Sequence, residues 1–205
     1  MEQNTSAEFL IYKDLRRKIL LGKIGEGERL VETVLAAEYK ASRLHIKSAL
    51  RLLEQEQLAQ HIPQCGFVAK GVTDEAIDEI VELRIALERV VFKRLLEVIT
   101  EEETAHLRRT TQRVAVFLQN DMMEDAMEEV DHFYSFVYEK SRFERITAIL
   151  DTYTDYLKII RRRSAADEER NQASLKLLQD MMDAIEAKDA EALMRHIERR
   201  RITAE

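Results

Sequence analysis

The sequence predicts a mainly α fold in two parts, and three observations carry that prediction. Residues 35–59, LAAEYKASRLHIKSALRLLEQEQLA, read as a helix, a tight turn and a second helix that runs toward a strand. Residues 58–70, LAQHIPQCGFVAK, hold the only Pro of the chain, Pro63, and Gly66, between short segments carrying Ile62, Phe67 and Val68. That is the composition of a small β-hairpin. From Gly71 to Glu205 the pattern is helical almost throughout, with short breaks. Consecutive long helices with short links pack as an all-α antiparallel helical bundle.

The N-terminal elements follow in order. Ile11, Leu15, Ile19 and Leu20 recur at helical spacing in IYKDLRRKILLGKI, which stops at Gly22. Leu35 and Ala36 anchor the next helix, and the chain breaks around Lys40-Ala41. Ser42 can cap the following helix by accepting hydrogen bonds from the free N–H groups of its first turn. Ile46, Ala49, Leu50 and Leu53 form that helix's buried face, which leaves Arg43, His45, Lys47 and Arg51 on the other side, with Leu44 in the same first turn. Two short helices, the second basic toward its N-terminus, describe a helix-turn-helix with a recognition helix. A solvated helical hairpin fits this window equally well. The flanking helix and hairpin turn the balance toward an N-terminal winged helix-turn-helix with a small β-hairpin wing, over residues 1–71.

Residues 72–205 form the second domain. Thr73 can cap TDEAIDEIVELRIALERVVFKRLLEVI, with acidic residues in its first turn as the helix dipole favours. Thr100 caps the next helix, with Glu103 at the capping-box position. Further helices are expected from about Met122 to Lys140, Arg142 to Arg163, Asp167 to Ala187, and Asp189 to the end. The breaks fall at Asn120-Asp121, Ser141, Ser164 and Lys188-Asp189. Arg161-Arg162-Arg163, ending a helix, is a solvated run favoured by the C-terminal dipole.

Charge divides along the same line. Residues 1–70 hold eleven Lys/Arg and nine Asp/Glu, whereas the whole chain holds 32 and 39 and is net acidic. A DNA duplex meets the local patch and not the mean, so an acidic second domain is expected to stand away from it. The basic excess of the first part is modest, so a homodimer that pools two patches is expected. Five Gly and one Pro leave few breakers for an all-β design. The start MEQNTSAEF is polar and no apolar run approaches membrane-spanning length, so a cytoplasmic protein with no membrane partner is expected. The lone Cys65 excludes an internal disulfide framework and reads as a bystander.

These residues carry a resemblance. IYKDLRRKILLGKIGEGERL, VLAAEYKASRLHIKSALRLLEQEQL and HIPQCGFV are similar to the DNA-binding domain of GntR-family bacterial transcription regulators. Ile19, Gly22, Gly27, Leu30, Leu35, Ala36, Ser42, Arg43, Ala49, Leu50, Leu53 and Leu58 occupy the positions of that pattern. Glu26, Lys40, His45, Lys47 and Ser48 depart from it. Lys40 replaces a Gly suited to a left-handed turn, and Lys47 holds a phosphate without the fork of an Arg. The second part resembles the FCD effector domain of the FadR-type subfamily at VELRIALERVV, AMEEVDHFYSFVYEKSRF and MMDAIEAKDAEALMRHIERR.

The resemblance implies double-stranded DNA as a partner, touched by Ser42, Arg43, Leu44, His45, Lys47 and Arg51, with Gly66 in the wing approaching the backbone. It also implies a sensor cavity. Many FCD domains hold a divalent metal through one Asp and three His, together with a small organic acid. Here the Asp falls on Asp131, while the His positions fall on Ser135, Leu178 and about Arg200, with His196 one turn earlier. One carboxylate and one His do not make a metal site, and His132 points about 100° away from Asp131, so no metal and no cofactor are expected. His106, His132 and His196 read as surface or hydrogen-bonded histidines.

The effector candidates are Arg84, which the resemblance places on the pocket, Asp131, Tyr134, Ser135, Tyr138, His196 and Arg200. Asp131, Ser135 and Tyr138 stand at i, i+4 and i+7, a spacing that predicts one shared face. A guanidinium inside a bundle binds a carboxylate or phosphate by two prongs, so the expected ligand is a small organic acid or a phosphorylated metabolite. The competing reading pairs Arg84 with Glu88 and Arg200 with Asp131, and leaves no ligand. The expected function is a regulator that places two recognition helices about 34 Å apart on a pseudo-palindromic operator, with a ligand biasing their arrangement. A constitutive DNA-binding or scaffolding protein is the alternative. An enzyme is not expected, because Glu128-Glu129 and Glu101-Glu102-Glu103 read as solvated faces and no nucleophile–base pair is visible.

Overall fold

The computed structural model describes residues 6–163 and 167–201, with the side chains at 157, 159–163 and 201 outside that description. The expected break at Ser164 and the Arg161–Arg163 side chains therefore lie outside the described residues. The chain divides into two compact units, residues 1–77 and 78–205. The sequence places a boundary at 71/72. The helix that opens at Asp74 continues without interruption across 77/78.

The first unit contains α1 (Ala7–Leu20), β1 (Arg29–Leu30), α2 (Glu32–Glu38), α3 (Arg43–Gln55), β2 (Ala59–Ile62) and β3 (Gly66–Ala69). Ile11, Leu15, Ile19 and Leu20 of α1 meet Leu35 of α2 and Ile46, Ala49, Leu50 and Leu53 of α3 in one buried core. β2 and β3 pair antiparallel, with Ala59 opposite Ala69 and His61 opposite Phe67. β1 was not foreseen. It pairs with β3, setting Leu30 opposite Phe67, and makes a three-stranded sheet in the order β1-β3-β2. Leu30 and Phe67 are both buried, so this third strand seals the wing onto the core.

Lys40 adopts φ 48°. The N–H of Ala41 donates to Ala36 O at 3.1 Å and that of Lys40 to Ala37 O at 3.4 Å. These two bonds are a Schellman motif, whose left-handed residue closes α2 and sets the angle at which α3 departs. The same device closes α3, with Gln57 at φ 64° and Leu58 N–H on Leu53 O at 2.9 Å.

The second unit holds α4 (Asp74–Val98), whose first turn lies before the division, α5 (Glu101–Gln119), α6 (Met123–Ser141), α7 (Glu144–Arg163), α8 (Glu168–Glu186) and α9 (Ala190–Glu198). A 3-10 turn, Arg199–Arg201, follows. Thr73 Oγ1 accepts from Ala76 N–H at 3.2 Å, and Thr100 with Glu103 forms a complete capping box. Asp167 and Asp189 cap α8 and α9 by accepting from the N–H groups of Arg170 and Ala192. The break expected at Ser141 falls one residue later, where Arg142 caps α6 at φ 58°. Phe92, Leu95, Leu107, Phe133, Val137 and Met181 fill the interior.

Lys40 tests this account of the turn. A side chain in the left-handed region costs roughly 1–2 kcal/mol, against which Gly loses more chain entropy on folding. Lys40→Gly should raise the unfolding free energy by up to about 1 kcal/mol, and Lys40→Val should lower it by roughly 1–3 kcal/mol. Chemical denaturation of both variants reads this, and destabilisation by glycine would contradict the turn geometry.

Candidate functional site

Two sets of residues stand out, one in each unit. In the first, Ser42 Oγ accepts from His45 N–H at 3.2 Å and fixes the start of α3. Because Ile46, Ala49, Leu50 and Leu53 are fully buried, the rest of the helix surface is turned away from the core. At about 100° per residue, Leu44, Lys47, Ser48 and Arg51 fall on the opposite side. Arg43, Leu44, Lys47 and Arg51 are all exposed, and His45 is half-buried. Arg43 Nη2 lies 3.5 Å from Glu32 Oε2 of α2, a loose pair that leaves the guanidinium largely in solvent.

Gly66 opens β3 at φ 87°, where a side chain would be strained, and follows Gln64 at φ 65° in the turn after Pro63. The Arg29 guanidinium donates to Cys65 O at 2.9 Å and ties β1 to this turn. Sequence reasoning missed Arg29, since its role depends on a two-residue strand with no periodic signal. Tyr39 braces the other end of the unit. Its hydroxyl donates to Asp14 at 2.6 Å and accepts from Lys18 Nζ at 3.0 Å, and burial followed by the Asp14 contact pushes the phenol up to about 12.

In the second unit the central group is Glu88 of α4, whose side chain is 0 % exposed. Arg84 Nε, one turn earlier, donates to its Oε1 at 2.6 Å. Tyr138 of α6 donates its hydroxyl to the same oxygen, and Arg200 of the final turn donates to Oε2. Arg84 Nη2 also donates to the Tyr138 hydroxyl at 3.2 Å. Both guanidiniums lie against the ring of Tyr134, Arg84 at 4.9 Å and Arg200 at 4.4 Å from its centroid. Burial pushes the Glu88 carboxyl up, but Arg200, then Arg84, then the Tyr138 hydrogen bond outweigh it and hold the group at about 2. Burial also raises the Tyr138 phenol far above its ordinary value, so it stays a donor.

Of the candidates in this unit, the structure gathers Arg84, Tyr134, Tyr138 and Arg200. It does not add Ser135, which is exposed. The face predicted from Asp131, Ser135 and Tyr138 is therefore corrected. Phe133, Tyr134, Val137 and Tyr138 point inward, and they turn Ser135 out. Asp131 is half-buried and bonds Lys158 of α7 at 3.0 Å. His196, on α9 four residues before Arg200, keeps a buried Nδ1 with no hydrogen-bond partner, so the hydrogen-bonded reading of this histidine does not hold at that atom. His132 is exposed, 4.0 Å from Glu129, and exposed His106 lies 5.2 Å from the Phe136 ring.

The residues at the family's metal-ligand positions do not fit a metal. Ser135 faces out, Leu178 is buried and apolar, and Arg200 brings a cation. Among the described residues no three His, Cys, Asp or Glu side chains stand together as a metal site. Glu88 was legible only as a partner for Arg84 at i+4. Its joint hold on Arg200, 112 residues away, has no local signal.

Comparison with known proteins agrees with both units. The bacterial regulatory proteins of the gntR family match residues 10–68, and the FCD domain matches residues 79–200. The HTH-type transcriptional regulator YdhC of Bacillus subtilis is 24% identical, with 96% of this chain and 88% of that protein covered. The gluconate operon transcriptional repressor of the same organism is 27% identical, covering 75% of each chain. Among solved structures, Escherichia coli McbR/YncC has a TM-score of 0.67 at 18% identity, covering 96% and 94% of the two chains. A GntR regulator from Rhodococcus sp. RHA1 has a TM-score of 0.65 at 17% identity, covering 96% of each. Two domains matched in this order, over almost the whole described length, make the chain a member of the GntR family of transcription regulators with an FCD effector domain, and not an enzyme.

Proposed function

We infer that the chain acts in the cytoplasm as a homodimer on a pseudo-palindromic DNA operator, and that a small anionic metabolite in the helical unit modulates it without a metal. The division of labour follows residues 1–71 for DNA and 72–205 for effector and dimer contacts. No described helix is long and apolar enough to cross a membrane, in keeping with that setting. Exposed Arg43, Lys47 and Arg51 with Ser42, Leu44 and His45 make the DNA face, and Gly66 brings the wing backbone close to phosphate. The observation that carries the effector class is the convergence of Arg84 and Arg200 on one buried carboxylate, across the Tyr134 ring. A site that already holds a carboxylate by two guanidiniums has the chemistry to hold a ligand's carboxylate or phosphate. Asp131 and His196 border this set in sequence, and Ser135 is left out of the proposal.

The observation behind a second reading is the burial of Glu88 itself. An internal carboxylate that satisfies both arginines can close the bundle, and the chain would then bind DNA constitutively. Thermal unfolding of the whole chain separates the two readings. Organic acids, gluconate among them, and sugar phosphates should raise Tm in wild type and far less in Arg200→Ala, because a ligand that binds the native state stabilises it. No response to any of these anions would favour the closed bundle, and a response to zinc, manganese or nickel would contradict the metal-free site.

Two further outcomes are expected. Removing one partner of a buried ion pair costs roughly 3–5 kcal/mol, so Glu88→Gln should lower the unfolding free energy on that scale. The folded carboxyl titrates at about 2 and the unfolded one near 4.5, so its stabilisation is complete above pH 4.5 and lost as pH falls toward 2. That acid component should be missing from Glu88→Gln in urea titrations at stepped pH. On the DNA side, Lys47→Ala should weaken binding to all sequences alike and reduce the slope of log K against log salt by about 1. Fluorescence anisotropy across a salt series reads it, and an unchanged slope would remove Lys47 from the phosphate contacts.

A further inference from the structure

We propose that Leu44 is a specificity-determining residue that reads the 5-methyl group of one thymine in each operator half-site; this rests on the DNA-binding reading above. Leu44 is 72 % exposed, more than any other large hydrophobic residue described. A lone exposed leucine is ordinary on a protein surface. Its position here is not. It lies in the first turn of α3, about 160° around the helix from Ile46, and so projects straight away from the buried face. Its neighbours on that crown are Lys47, Ser48, Arg51 and, further along, Gln55.

The surroundings decide the partner. Arg43, whose side chain is 68 % exposed, and exposed Lys47 and Arg51 flank Leu44 with cations, so its surroundings are not an apolar patch for another protein. Their charge suits a duplex, and the N-terminal residues of a helix laid in the major groove are those that reach base edges. A leucine carries neither donor nor acceptor. Of the groups displayed in that groove, only the thymine methyl offers it apolar surface. Against the other base pairs it would cover polar edges without replacing their hydrogen bonds to water. The side chain therefore favours thymine by attraction and disfavours the alternatives by desolvation. Because most of the side chain stands in solvent, truncation leaves the fold standing.

The experiment selects ligands for the whole chain from a random duplex library, then replaces each selected thymine by deoxyuridine, which lacks only the methyl group. Wild type should enrich a motif with a preferred thymine in each half-site. Deoxyuridine at that position should weaken wild-type binding about fourfold per half-site, the equivalent of burying one methyl-sized group at about 0.8 kcal/mol. Leu44→Ala should bind the thymine and deoxyuridine duplexes alike, and its own selection should lose the preference there. Equal losses for wild type and Leu44→Ala, or a motif with no methyl-sensitive thymine, would overturn the assignment while leaving DNA recognition intact. Enrichment of no sequence at all would overturn the DNA-binding reading and this assignment with it.

Discussion

The second unit depends on what is done with one buried charge. A carboxylate with no solvent contact is tolerated inside a protein only if ion pairs and hydrogen bonds replace its water. Glu88 obtains these from three places in the chain: Arg84 on its own helix, Tyr138 on α6 and Arg200 beyond α9. Satisfying it fixes the relation of α4 to α6 and brings the last turn into the interior. Tyr134 supplies the floor, its ring facing both guanidiniums, while Phe92 and Phe133 pack with it in T-shaped contacts.

In the first unit the equivalent constraint is the division of one helix between a buried and an exposed face. The residues of α3 that bury the core also determine, by helical geometry alone, which side chains are left in solvent. Two left-handed residues, Lys40 and Gln57, set how α3 enters and leaves that arrangement. β1, pinned by pairing with β3 and by the Arg29 clamp on the wing turn, holds the hairpin against the body.

Much of this was legible in the sequence, and the exceptions have physical causes. Ser42, Thr73, Thr100 and Asp189 announce helix starts because a capping hydrogen bond is local. The α3 faces are equally local, since 3.6-residue periodicity suffices to sort Ile46 and Leu50 from Lys47 and Arg51. β1 was invisible, because a two-residue strand has no period and exists only through its partner. The inward face of α6 was misread at Ser135, since spacing alone permits several faces and tertiary packing of Phe133 and Val137 chooses one. Arg200 was singled out from a resemblance, but its engagement with Glu88 is a long-range fact that no local pattern encodes.

The proposed anion site and the proposed DNA face would belong to one switch, and linkage makes that measurable. A ligand can shift an arrangement only by its difference in affinity for the two states. It is read from the affinity of the whole chain for its selected duplex, with and without an acid that raises Tm, in wild type and in Arg200→Ala. Kd should change by roughly 5- to 150-fold in wild type, the usual range of allosteric coupling, and little in the variant. An acid that binds the bundle and leaves the DNA affinity of wild type unaltered would contradict it.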